Sequence, residues 1–248
     1  ASKADNSRTF QTRYGWDNDY FLNIRSAQLT SDSTTSTGQL LKKEFLTKAH
    51  DGPVAFSSFG DEMVITRNRI EKNKDKDVLR LGLYFSKKVN GVWSEPVPFQ
   101  YNSKAYSVGH GVFANNDKTL YFVSDMEGGF GGADVYVCHK QADGSWSTPK
   151  NLGPTVNTEQ QEMFPFVQDS VLYFASNGHF GLGGLDLYEF NLGRPRSLRN
   201  LGYPINTSGD DFGLIEMNEG QQGFFSSNRG DNIDRIYSFK QVPIRLEL

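Results

Sequence analysis

Short runs of aromatic and β-branched residues, broken by Gly, Asn, Asp and Pro, recur along most of this chain. Met163-Phe164-Pro165-Phe166-Val167, then Leu172-Tyr173-Phe174, then Asp186-Leu187-Tyr188, then the segment around Asn200-Leu201-Gly202 form one such series. Runs of this length and composition, bounded by turn residues, predict strands. No window holds a helical period. The pattern therefore predicts units of four short strands.

The units repeat. Leu120-Tyr121-Phe122-Val123-Ser124-Asp125 returns 52 residues later as Leu172-Tyr173-Phe174-Ala175-Ser176-Asn177, and 51 further on as Gly223-Phe224-Phe225-Ser226-Ser227-Asn228. Met63-Val64-Ile65-Thr66-Arg67-Asn68 is a weaker copy. A second block, Gly131-Gly132-Ala133-Asp134-Val135-Tyr136, matches Gly183-Gly184-Leu185-Asp186-Leu187-Tyr188. A third joins Gly91-Val92-Trp93-Ser94 to Gly144-Ser145-Trp146-Ser147, and Asn151-Leu152-Gly153…Val156-Asn157-Thr158 to Asn200-Leu201-Gly202…Ile205-Asn206-Thr207. Four-stranded units of roughly 40–50 residues in tandem are the mark of propeller blades. A single such sheet cannot cover both its faces and needs neighbours.

The expected fold is all-β, a β-propeller of about five four-stranded blades, with six as the alternative. Blades are expected at 50–105, 106–158, 159–208 and 209–248, with a partial blade at 10–49. In the partial blade, Tyr20-Phe21-Leu22-Asn23-Ile24 echoes Tyr188-Glu189-Phe190-Asn191-Leu192, Leu40 to Leu46 forms an outer strand, and the Ser/Thr-rich Thr30 to Gly38 is a mobile loop. Ile244-Arg245-Leu246-Glu247-Leu248 either lends a closing strand or opens a following domain.

Composition sharpens this picture in a few places. With 37% apolar but 13% aromatic residues, the chain relies on 19 Phe and 11 Tyr to fill the space between thin sheets. The net charge of −3 is mixed along the sequence, which argues against a nucleic-acid partner. The alternating run Glu71 to Asp77 reads as a solvated loop tip. Cys138, the single cysteine, sits in an apolar run and reads as a buried, inert thiol. No stretch is long and apolar enough to span a membrane. The opening Ala1-Ser2-Lys3-Ala4-Asp5 lacks signal-peptide features and reads as a mature or excised start.

Candidate chemistry is sparse. Asp134 and Asp186 follow the Gly-rich turns Gly131-Gly132 and Gly183-Gly184, where a carboxylate accepts turn N–H bonds and glycine permits positive φ or close backbone approach. The phosphate-loop alternative is weak because these loops lead into strands. The segments opening each blade carry His50-Asp51, His110, Glu162 and Asp210-Asp211. If first strands line a central channel, His50, Asp51, His110, Glu162 and Asp211 would ring its mouth and hold a cation or polar ligand; the competing reading is an internally paired rim. Trp93 and Trp146 read as packing residues. No Gly-x-Ser-x-Gly, His-Glu-x-x-His or Walker motif occurs, and no metal site, cofactor or catalytic residue is expected.

The Leu120-Tyr121-Phe122, Ser124-Asp125 and Gly131 to Tyr136 blocks, with their copies 52 positions on, resemble the WD-like PD propeller repeats, relatives of the TolB propeller. The resemblance implies a periplasmic module of Bacteroidetes OmpA-family proteins, associated with the outer membrane or peptidoglycan and of the kind found in type nine secretion. It implies a non-catalytic scaffold with protein partners in the cell envelope, no nucleic acid, no membrane span of its own, and a monomeric isolated domain. Such a scaffold would show an exposed apolar or aromatic patch on one face. A glycan- or small-ligand-binding propeller using the channel mouth is the alternative, and a hydrolase or lyase the weakest reading.

Overall fold

The computed structural model describes residues 22–31, 34–41, 45, 49–71, 78–217 and 221–242. Apart from a 3-10 turn at Phe45, the regular elements in those residues are strands. The first are short: β1 (Arg25–Ser26), β2 (Leu29–Ser31), β3 (Thr34–Thr35) and β4 (Gln39–Leu40). Then come β5 (Asp51–Phe56), β6 (Glu62–Glu71), β7 (Val78–Val89), β8 (Val92–Trp93) and β9 (Val97–Pro98). β10 (Val108–Ala114), β11 (Thr119–Ser124), β12 (Asp134–His139) and β13 (Lys150–Asn151) follow. The last two groups are β14 (Glu162–Gln168), β15 (Val171–Ser176), β16 (Asp186–Asn191), β17 (Arg199–Asn200), and β18 (Asp211–Met217), β19 (Gln222–Ser227), β20 (Arg235–Lys240).

Sequential antiparallel pairing builds four main sheets: β5-β6-β7-β8 with β9 also on β7, then β10-β11-β12-β13, β14-β15-β16-β17 and β18-β19-β20. Repeated sheets of this order are propeller blades. The fold class is an all-β β-propeller. Four blades are present among the described residues, where about five were expected. The described residues of 22–41 form the small pairs β1-β4 and β2-β3 and bond to Asp51 through the Leu22 carbonyl; Ser, Thr and Gly dominate there and supply little apolar alternation to bury. Within that stretch, Thr30 to Gly38 carries the β2-β3 hairpin and is not simply a loop. Of the outer strand expected from Leu40 to Leu46, Gln39–Leu40 pairs with Arg25–Ser26. Tyr20-Phe21, the tip at 72–77 and the tail 243–248 lie outside the described residues; the tip joins strands that stay paired up to Glu71↔Val78.

The chain divides into two compact units: Ala1–Gly128 with Tyr136–Lys150, and Gly129–Val135 with Asn151–Leu248. In the first unit, Val64, Leu83, Phe99, Phe113, Phe122 and Trp146 are among the residues that form a core. Trp146 stacks on Phe85 at 6.0 Å, ring on ring from a different sheet. Cys138 is buried in this core, which pushes its thiol up to about 12. A smaller cluster joins Phe45, Met63 and Ile65 to Ile24, Leu41 and Trp93. In the second unit, Tyr173, Ala175, Leu187, Leu214 and Phe225 make the core.

The second strands explain why the Leu-Tyr-Phe block is the clearest repeat. Every residue of β11 is buried, and all but the first of β15. A strand covered on both faces reads as a continuous apolar run rather than an alternation. The first strands share a recurring irregularity in their geometry: register shifts between Asp51/Val54, Gly109/Val112, Met163/Phe166 and Phe212/Ile215. Each is a one-residue bulge that bends the strand. His110, Phe164 and Gly213 occupy it with φ of 51°, 52° and 64°.

Candidate functional site

The carboxylates expected at a channel mouth head their strands and are deeply buried, each held by its own unit. Glu162 begins β14 and accepts the Thr158 N–H at 2.8 Å, the Thr158 hydroxyl at 2.7 Å and the Ser176 hydroxyl at 2.7 Å. Asp211 begins β18 and accepts the Thr207 N–H at 2.6 Å, its hydroxyl at 2.9 Å and Arg229 Nη2 at 2.7 Å. The Thr-x-x-x-acid spacing ties the turn before each first strand to the strand itself. Arg229 also donates to the carbonyls of Pro204 and Ile205 and lies over the Phe225 and Tyr237 rings at 4.9 and 4.8 Å.

In the first unit, Arg67 Nε donates to Asp51 Oδ1 at 2.6 Å. Burial nevertheless raises the Asp51 pKa above its ordinary value, against the pull of Arg67. His50 Nδ1 accepts the Leu22 N–H at 3.2 Å. His110 sits at the β10 bulge, its N–H on Thr66 Oγ1 at 2.8 Å, and burial lowers its pKa to about 4. His50, Asp51 and His110 thus belong to one unit, Glu162 and Asp211 to the other. Among the described residues, no group of three or more His, Cys, Asp or Glu could hold a metal ion.

The Gly-rich turns are built by their acids. Asp134 accepts the N–H groups of Phe130 and Gly131 and the amide of Asn151 at 2.8 Å. Asp186 accepts those of Leu182 and Gly183 at 2.9 and 3.0 Å. Positive φ is not what the glycines supply, since Gly131, Gly132, Gly183 and Gly184 all lie outside that region. Close approach is the reason: a Cβ on Gly131 would strike the backbone of Thr158 and Gln160, and one on Gly183 that of Thr207 and Gly209. Gly132 and Gly184 are likewise blocked by the side chains of Gln161 and Asp210.

Sequence reading missed three asparagines that hold the third strands. Asn157 Oδ1 accepts the Val135 N–H at 2.8 Å while its Nδ2 donates to the Val135 carbonyl at 3.0 Å. Asn206 treats Leu187 identically, both bonds at 2.8 Å, and Asn102 does so to Leu83 at 2.9 and 2.8 Å. Each asparagine thereby acts as a piece of strand, pairing a buried N–H that would otherwise lack a partner and adding a second donor to a carbonyl that the following segment also meets. The signal was the repeated Val156-Asn157-Thr158 and Ile205-Asn206-Thr207, read only as a repeat.

These locks knit the loops at one end of the second unit. Gly132 N–H reaches Gln160 O at 2.7 Å, Gly184 N–H reaches Gly209 O at 3.1 Å, and Asn228 N–H reaches Asp210 O at 3.1 Å. The loops between second and third strands, and those leading into first strands, leave antiparallel sheets at the same end. That end carries large apolar side chains in solvent: Phe180 is 97% exposed, Tyr203 82%, and Phe130, Leu182 and Ile233 about half. A cleft of about 550 Å³ opens beside Phe130, lined also by Pro154, Glu159, Gln160 and His179 with the Asn157-Thr158 turn. His179 is held there by Nε2 on the Val156 carbonyl at 2.8 Å and by contact with Phe174 and Tyr188.

No family model matches the chain. No curated protein matches it either. Among solved structures, a putative TolB from Agrobacterium tumefaciens aligns over 78% of both chains with a TM-score of 0.47 at 11% identity. A xylan beta-1,4-xylosidase from Bacillus halodurans C-125 aligns with a TM-score of 0.48 at 13% identity, over 89% of this chain and 52% of that one. A prolyl endopeptidase aligns with a TM-score of 0.47 at 16% identity over 84% of this chain, which spans 27% of that enzyme's length. None of these likenesses assigns an activity. Among the described residues, no helix is long and apolar enough to cross a membrane.

Proposed function

We propose that this propeller is a non-catalytic protein-interaction scaffold of the cell envelope, periplasmic and associated with the outer membrane or peptidoglycan, of the kind that serves type nine secretion. The observation that carries the binding half is the loop end of the second unit. Phe130, Phe180, Leu182, Tyr203 and Ile233 stand in solvent there on loops pinned by backbone hydrogen bonds and by the buried Asp186 and Asn206 side chains. Exposed aromatic side chains on a preorganised surface are what protein interfaces use as anchors, because little ordering entropy remains to be lost on docking. The carboxylates that would serve a channel-mouth ligand are instead engaged by Thr158, Ser176, Thr207, Arg229 and Arg67. The envelope location rests on the resemblance of the repeat blocks.

The test immobilises the wild-type chain and a Phe180→Asp/Tyr203→Asp double variant against solubilised envelope fractions. The expected outcome is a defined set of envelope proteins retained by the wild type and lost with the variant, both folding alike. Equal retention by both would overturn the loop-end reading, and selective retention of a sugar or metal would favour a ligand-binding propeller.

A further inference from the structure

The sheets β14-β15-β16-β17 and β18-β19-β20 each stack an aromatic pair from their second and third strands, Phe174 on Tyr188 and Phe225 on Tyr237, both at 5.8 Å. What lies against that pair differs. In the last sheet it is the Arg229 guanidinium, 4.9 and 4.8 Å from the two rings. It donates to the carbonyls of Pro204 and Ile205 at 3.0 and 2.6 Å and to Asp211 Oδ1 at 2.7 Å. In the sheet before, it is the His179 ring, 6.0 and 5.2 Å from Phe174 and Tyr188. His179 Nε2 donates to the Val156 carbonyl at 2.8 Å, and Val156 stands in the repeat where Ile205 does. The imidazole thus makes one of the guanidinium's bonds and fills less of the place.

Beside it lies the cleft of about 550 Å³. Aligned by the repeat, Gly178 stands where the last sheet carries Arg229, and Glu159 where it carries Ser208. Position 178 can supply no side chain of its own, because a Cβ there would strike Thr158 Oγ1 and Gln160 Cβ. Glu162, the counterpart of Asp211, is taken up by Thr158 and Ser176. Glu159 brings a second carboxylate to the cleft wall, and no group among the described residues pairs with it. Phe130, 48% exposed, adds an aromatic face. The surrounding charge has the same sign. The loop-end segments 129–134, 151–162, 176–186, 200–211 and 227–235 hold eight Asp or Glu and two Arg, and both arginines are paired, Arg229 with Asp211 and Arg235 with Asp231. A cation arriving from outside therefore meets a favourable field.

We propose that this cleft binds a guanidinium group, the arginine side chain of another molecule, much as the last sheet holds its own Arg229. The Glu159 carboxylate accepts its N–H fork and the Phe130 ring lies against its face, a pairing that suits a planar, delocalised cation better than an ammonium. Since Glu159 is exposed, the free side chain binds weakly, and the contact gains strength when a docked surface excludes water. The cleft lies at the loop end proposed for docking, and only the placing of that arginine on an envelope protein rests on that reading.

The probe is N-acetyl-arginine amide, titrated into the 248-residue protein while the Phe130 and His179 ring signals are followed by NMR. Saturable shifts of both are expected. The citrulline analogue, alike in shape but uncharged, should bind about fivefold more weakly, and Glu159→Gln should weaken the arginine probe about threefold. The Phe180→Asp/Tyr203→Asp double variant should bind the probe as the wild type does, so that loss of envelope partners and loss of the guanidinium site are read separately. No saturable shift, equal binding of the citrulline analogue, or wild-type affinity in Glu159→Gln would each overturn the proposal.

Discussion

Leu187 and Ile236 occupy the same place in neighbouring blades of the second unit, and their surroundings differ as much as two sites can. Around Leu187, β16 begins with three buried residues and β15 is buried along nearly its whole length. Around Ile236, β20 is exposed or half-exposed throughout and β19 alternates buried with half-buried positions. The strands are alike in length, register and pairing. What differs is the segment beyond them: Arg199 to Asn206 lies over β16, and nothing among the described residues lies over β20. Around Leu187, the segment from Arg199 to Asn206 brings both an apolar side chain and a hydrogen-bonding amide to the third strand.

The most forceful way to break this comparison is to truncate both side chains. Leu187→Ala should cost about 4 kcal/mol of stability, because a fully buried side chain leaves a cavity. Ile236→Ala should cost under about 0.5 kcal/mol. Urea midpoints of equal size would show that the fourth sheet is covered after all. Asn206→Ala should cost about 3 kcal/mol with the fold retained, since it strands the buried Leu187 N–H and loosens Asn200, while the Leu187 carbonyl keeps the Leu201 N–H. An Asn206→Ala midpoint matching wild type would remove the clamp from the explanation.

The bulge position sharpens the contrast through pH. It holds His110 in β10 and Gly213 in β18, so only the former titrates. An unfolded imidazole takes up its proton near 6.5, whereas burial holds folded His110 down to about 4. The unfolded state therefore binds more protons between those values, and stability is lost as pH falls from 6.5 toward 4, by about 3 kcal/mol for this group. His110→Gln should flatten that slope in denaturation curves taken across the range. The smallest effect is expected at the turn of the last blade, where the exposed pair Arg235 and Asp231 stands in place of the Asp186 turn. Asp231→Ala should leave the midpoint unchanged, because exposed pairs gain little over solvent. Asp186→Ala should lower stability by about 2 kcal/mol, because it strips a buried acceptor from two loop N–H groups.

Much of the blade was legible in the chain. Leu120-Tyr121-Phe122 and Leu172-Tyr173-Phe174 mark strands buried on both faces, and Asp134 and Asp186 mark the turns they brace, because each signal acts within a few residues of itself. The mouth residues were recognisable as titratable but not as partners. Glu162 meets Ser176, and Asp211 meets Arg229, across 14 and 18 residues of sequence. The clamp by Asn157 reaches back 22 residues to Val135, so no local pattern could announce it. His110 and Phe164 adopt a backbone conformation usually left to glycine, and only the strand register reveals why. Of the partial blade expected at 10–49, the described residues hold the pairs β1-β4 and β2-β3, and the remainder lies outside the described residues.

By itself the sequence determined that this is a tandem of short antiparallel strands with aromatic cores and acid-braced turns, because strand propensity, turn chemistry and a repeat near fifty residues are local properties. Tertiary structure decided which of those equivalent strands are sealed. Burial of a strand's outer peptide groups needs a second segment, distant in sequence, to arrive with matching donors and acceptors. Leu187 has that segment at Arg199 to Asn206, whereas among the described residues Ile236 stands exposed on the corresponding edge.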